Sequence, residues 1–174
     1  MKTLIPAILN LLTSPCGADE GAIESAKTHI SWVIKGNHKE LATSYAPEVM
    51  LMPGHEFLKA EYGLVKEGGR ATGAQVASDK LIAAMEKAAA DRPAPPAERT
   101  DALLDSLTYE VIEAAASDAG LAPSDPVGTP DGNLHFQVEA GDVLLKAALP
   151  LGDFILLQMR QIDGTWRVLG EYLD

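Results

Sequence analysis

A chain of 174 residues forms one domain, long enough to bury a sizeable core. Its formal net charge of −11 argues against a phosphate backbone or an anionic membrane surface as partner, since both need clustered Lys and Arg. No apolar run reaches the roughly 20 residues that span a bilayer. The lone Cys16 excludes an intrachain disulfide and any multi-cysteine metal site.

Residues 1–19 admit two readings. Met1-Lys2 followed by TLIPAILNLLTSPCGA has the outline of a short secretory signal, with Cys16 and Ala18 as small residues near a cleavage point. The same stretch places Leu4, Ile8, Leu11 and Leu12 on one helical face, as a packed amphipathic helix would. The first reading implies a secreted or periplasmic protein once residues 1–18 are removed, the second a cytoplasmic one. Residues 20–174 then make a single domain.

From Gly21 to Lys35, Ile23, Ala26, Ile30, Val33 and Ile34 recur at helical spacing, and Gly36-Asn37 ends the helix. A short helix is expected from His38 to Tyr45, stopped by Pro47. Val49 to Met52 reads as a strand, Pro53-Gly54 as a turn and Glu56 to Val65 as its return strand. Ser78-Asp79 opens a helix over DKLIAAMEKAAA, and the proline-rich residues 91–98 read as a stiff linker. Leu107 to Ala115 is the next strand, and residues 117–133, rich in Asp, Gly, Pro and Ser, form a long loop. Leu134 to Val138, Val143 to Leu149, Phe154 to Ile162 and Trp166 to Leu173 complete an antiparallel sheet. Asp163-Gly164 between the last two is a strong hairpin signal, because tight hairpin turns need positive φ. The order gives an α+β protein with helices on one face of a bent sheet.

The stretch GNHKELATSYAPEVMLMPGHEF, with Gly36-Asn37, Leu41, Tyr45-Ala46 and Val49, resembles the nuclear transport factor 2-like superfamily, in particular its SnoaL-like and ketosteroid-isomerase-like members. DGTWRV at 163–168 resembles the superfamily's last hairpin, and TGAQVASDKLIAAM at 72–85 stands where its third helix is expected. The resemblance implies a strongly curved, cone-shaped (cystatin-like) antiparallel sheet wrapped around about three helices, with an apolar pocket between them and a homodimer through the outer sheet face. It does not imply one activity, since the fold hosts isomerases, dehydratases, cyclases, hydrolases and binding modules. The isomerases' catalytic aspartate would fall near Met50, Leu51, Met52 and Pro53, where no carboxylate stands, and their oxyanion-hole tyrosine falls at His29. Neither the base nor the donor transfers, which disfavours a steroid isomerase.

The resemblance turns His29, Trp32 and Tyr45 toward the pocket. Gln158 and Arg160, polar among apolar neighbours on one face of a strand, are candidate handles in the same cavity, Arg160 as a carboxylate clamp or as the partner of Glu171. Trp166 and Tyr172 alternate onto one face of the last strand, and Tyr172 is a candidate pocket wall. The leading expectation is therefore a module binding a small apolar or amphipathic molecule through His29, Trp32, Tyr45, Gln158, Arg160 and Tyr172, without cofactor, nucleic acid or membrane insertion. The second is a SnoaL-like enzyme using His29, Tyr45 or Arg160 as acid, base or donor. The third is an interaction or dimerisation module using the sheet. Adjacent His55 and Glu56 point to opposite faces of a strand and make no dyad. The four histidines at 29, 38, 55 and 135 lack tight metal-ligand spacing. GGRATG lacks the ending of a phosphate loop, and no nucleophile elbow is present.

Overall fold

The computed structural model describes residues 16–52, 60–61, 63, 73–90, 96–116, 118–130, 132–150 and 152–173. Helix α1 (Cys16–Lys35) buries Ala22, Ala26 and Ile30, four apart on one face, with Ile23, Val33 and Ile34 beside them. Gly36 ends it in the left-handed region (φ 68°). Its N–H donates to Val33 O and the N–H of Asn37 to Trp32 O, the pairing of a Schellman cap. A single turn, α2 (His38–Leu41), follows. It is shorter than the helix expected to Tyr45, because Tyr45 already opens strand β1 (Tyr45–Leu51) and pairs with Val168.

Strand β2 (Ala74–Ala77) pairs antiparallel with β1 and runs directly into α3 (Ser78–Ala90). The first residues of the expected third helix are thus a strand. The return strand expected at 56–65 lies mostly outside the described residues, as do Pro53-Gly54, His55 and Glu56, and its described residues 60 and 61 are helical, not extended. A fourth helix, α4 (Ala97–Ser106), begins just after Pro96, where the sequence reads as linker up to residue 98. It leads into β3 (Thr108–Ala114).

The principal sheet has the order β2-β1-β10-β9-β8-β3, with β8 (Val143–Ala148), β9 (Phe154–Ile162) and β10 (Thr165–Leu173) as its centre. All neighbours are antiparallel except β1 and β10, which run parallel, so the α+β class holds with a mixed sheet. The β9–β10 turn is Asp163-Gly164, both at positive φ (52° and 75°), as a two-residue hairpin of matching twist requires.

The inner face of the sheet is covered, and the outer face is covered in part. The inner face packs Val49, Leu51, Leu145, Leu157, Met159 and Val168 against α1, α2 and α3. On the outer face, Leu144, Phe154, Leu156 and Tyr172 meet Val127, Leu134, Phe136 and Val138 from the segment between β3 and β8. That segment holds two small ribbons, β4 (Ala122–Pro123) with β7 (Gln137–Val138) and β5 (Val127–Thr129) with β6 (Gly132–Leu134). Residues 134–138 therefore do not join the principal sheet as expected. Their alternation is nonetheless real, since Leu134, Phe136 and Val138 all point down onto its outer face. This covering segment occupies part of the surface that the resemblance assigns to a homodimer.

Strand β10 carries a bulge. Val168 pairs with Met159 and Gly170 with the next residue back, Gln158, so Leu169 is the extra residue. The bulge inverts the alternation. Trp166 packs with the inner core and Tyr172 with the outer one, not on one face as counting by twos implies. Among the described residues, no helix is long and apolar enough to cross a membrane.

Candidate functional site

The six side chains singled out by the sequence fall on two sides of the sheet. His29 and Tyr45 lie on the inner side with Trp32, while Gln158, Arg160 and Tyr172 lie on the outer side. They do not share one cavity.

The inner group is a sealed polar chain. The Ser44 hydroxyl donates to Leu41 O at 2.7 Å and so accepts from His29 Nδ1–H at 2.7 Å. That arrangement turns His29 Nε2 toward Glu171 Oε1, 3.7 Å away and beyond hydrogen-bond reach, and Nε2 is the one buried side-chain polar atom without a hydrogen-bond partner among the described residues. Tyr45 donates its hydroxyl to Glu171 Oε2 at 2.7 Å, and the His29 and Tyr45 rings meet edge to face at 4.9 Å. His29 is 0% exposed, so within this network, which ties α1 and β1 to β10, its imidazole offers no surface to a ligand. Arg160 does not reach Glu171, whose carboxylate is on the other face. Trp32 lines a separate hollow of about 260 Å³ with Trp166, Thr43 and Ser44.

The outer group belongs to a cleft of about 550 Å³ between the open half of the outer face and the covering segment. Its floor is apolar: Met50 from β1 and Met52 just past its end, Leu169 from the β10 bulge, and Leu134 and Phe136 from above. Gly170 makes the close approach possible, since a Cβ there would stand 3.2 Å from two Phe136 ring carbons and 3.1 Å from Gln158 Oε1. Glu48, Gln75, Asn133, His135, Gln137 and Glu139 line the remainder with Gln158 and Arg160. Tyr172 is fully buried in the neighbouring outer core, its ring 5.8 Å from that of Phe154.

One end of the cleft is built on Asp142, a residue that no sequence pattern singles out. Its side chain is 0% exposed and accepts from Arg160 Nε (2.5 Å), Arg160 Nη2 (2.9 Å), Gln158 Nε2 (2.7 Å) and the backbone N–H of Glu139 (3.0 Å). Arg160 Nη1 also donates to Glu139 Oε1. The hydrogen bond to Asp142 raises the Arg160 pKa further above its already high value, against a smaller opposing effect of burial. Gln158 spends both amide hydrogens, on Asp142 and on Gln137 O. His135 Nδ1 donates to Ser124 O at 3.0 Å, which leaves Nε2 as an acceptor when the ring is neutral. Among the described residues no group of His, Cys, Asp and Glu has the arrangement of a metal site.

No family model matches the sequence, and no curated protein matches it. Solved structures similar to this chain include a protein of unknown function with a cystatin-like fold from Nostoc punctiforme, at 13% identity and TM-score 0.43, covering 89% of this chain and 88% of that one. An NTF2-like protein of unknown function from Shewanella baltica is 7% identical at TM-score 0.46, covering 93% and 96%. A ketosteroid isomerase-like protein from Erwinia carotovora atroseptica is 11% identical at TM-score 0.36, covering 88% and 92%. At these identities and scores the fold of this chain stands on its own topology.

Proposed function

We propose that this protein binds a small amphipathic molecule in the outer-face cleft. The observation that carries the reading is the cleft itself: about 550 Å³, within the range of small-molecule sites, with an apolar floor and an ordered polar end at Gln158 and Arg160. The floor residues come from β1, from the β10 bulge and from the covering segment, so its shape depends on packed elements of the fold. Of the enzyme alternative's three candidates for acid, base or donor, His29, Tyr45 and Arg160, the first two draw no support from this arrangement. Both side chains are buried on the opposite face, and a general base must come within hydrogen-bond reach of its substrate.

The test is binding of the neutral fluorescent probe N-phenyl-1-naphthylamine to the protein and to Met50→Trp, which fills the cleft from its floor. Saturable binding lost in Met50→Trp, with an unchanged circular dichroism spectrum, supports the cleft. Equal binding by both proteins refutes it.

A further inference from the structure

Arg160 reads in the sequence as a clamp for a carboxylate ligand, and in the fold three of its five N–H groups are already spent on carboxylates of the protein. Its guanidinium is matched by Asp142, in two hydrogen bonds, and by Glu139. Glu48 adds a carboxylate on the β1 side, where Gln75 Nε2 donates to its Oε2 at 2.8 Å. In the lining, then, Glu48 and Glu139 stand against the single charge of Arg160, which the buried Asp142 already pairs from beneath. Arg167, opposite Arg160 across β9 and β10, is not among the lining side chains. The lining offers amide donors on Asn133 and Gln137 as well as uncommitted acceptors, so charge decides between ligands. Glu48 Oε1 and Glu139 Oε2 are free of hydrogen bonds among the described residues, as are Gln158 Oε1 and His135 Nε2.

Resting on the cleft as the binding site, we infer that its ligand is a cationic amphipath, with an apolar body on Met50, Met52 and Phe136 and a primary ammonium group between Glu48 and Glu139. An ammonium brings three donors and a positive charge to a site that offers acceptors and excess negative charge. A carboxylate would add a further negative charge beside Glu48 and Glu139.

The experiment is competition against N-phenyl-1-naphthylamine by decylammonium, decanol and decanoate, equal in chain length and below their micellar concentrations. Decylammonium is expected to bind at least about tenfold more tightly than decanoate. The double variant Glu48→Gln/Glu139→Gln should shrink that ratio to about twofold and leave decanol unchanged, since it removes charge and keeps shape. The control Glu20→Gln/Glu40→Gln removes two exposed charges from α1 and α2 and should preserve the ratio. Decanoate binding as tightly as decylammonium overturns the inference and leaves the cleft reading standing. A ratio that falls equally in both double variants also overturns it, because the preference would then belong to the molecule's overall charge. If none of the three competes, the cleft reading itself fails, and Met50→Trp shows this independently.

Discussion

Asp142→Asn removes one negative charge from beneath Arg160 while keeping the size of the side chain. In the native protein the two Asp142 oxygens accept four hydrogen bonds, two from Arg160 and one each from Gln158 and the Glu139 backbone. Asparagine has one acceptor oxygen, and its amide hydrogens would face donors. Breaking a fully buried ion pair costs about 3–5 kcal/mol. Here the Arg160 side chain is 25% exposed and keeps Glu139, so the expected loss is lower, about 2–4 kcal/mol. Urea unfolding at neutral pH reads it. With a slope of about 2 kcal/mol per molar urea, the midpoint should fall by about 1–2 M at unchanged slope. The same substitution in an Arg160→Gln background should cost less by about 1–3 kcal/mol, the coupling of the pair. Released from Asp142, Arg160 should also strengthen decanoate binding. A loss below about 0.5 kcal/mol, or an equal loss in the Arg160→Gln background, would refute the account of Asp142 as the anchor of this end of the cleft.

Three further outcomes follow from the inner face and from β3. His29→Ala opens a hole beside Ala26 and Ile30 and removes the donor to the Ser44 hydroxyl, so thermal unfolding should show a loss of about 2–4 kcal/mol with probe binding in the outer cleft unchanged. Tyr45→Phe removes the donor to the buried Glu171 carboxylate, at an expected cost of about 1–3 kcal/mol by urea unfolding. Burial first, and the Glu24 carboxylate second, push the Tyr109 phenol up to about 12, so its ultraviolet phenolate transition should lie about two pH units above that of the unfolded chain. Because the folded-state value is raised, its contribution to stability is full below pH about 10 and is lost as pH rises through about 12.

Local chemistry made the ends of the elements legible. Gly36 after a helical repeat gives the Schellman cap, and Asp163-Gly164 between alternating runs gives the hairpin. What escaped depends on partners far along the chain. The parallel pairing of β1 with β10 joins residues more than a hundred positions apart, and nothing in either strand announces its direction. Helix α4 stands behind the proline-rich stretch, and Thr100 is its one residue in the buried class, so it carries a weak apolar stripe. The bulge had one available signal, an isolated glycine inside a strand pattern at Gly170. Counting by twos through it placed Tyr172 on the wrong side. Gln158 and Arg160 were legible as polar residues in an apolar strand. Asp142 was not, because it follows a glycine in a turn and acquires its role only when β9 is brought beneath it.

The two polar networks do different work because one is sealed and the other is half open. His29, Ser44, Tyr45 and Glu171 spend their hydrogen bonds within the core, joining α1 and β1 to the last strand. Asp142 instead joins the covering segment to β9 at the point where cover gives way to cleft, and fixes Gln158, Arg160 and the Glu139 backbone together. A binding site gains from such an anchor, since polar groups held in place before the ligand arrives need not be ordered by it. Asp142→Asn should therefore change both stability and ligand charge preference, whereas His29→Ala should change stability alone. That contrast separates a structural network from a functional one on two sides of the same sheet.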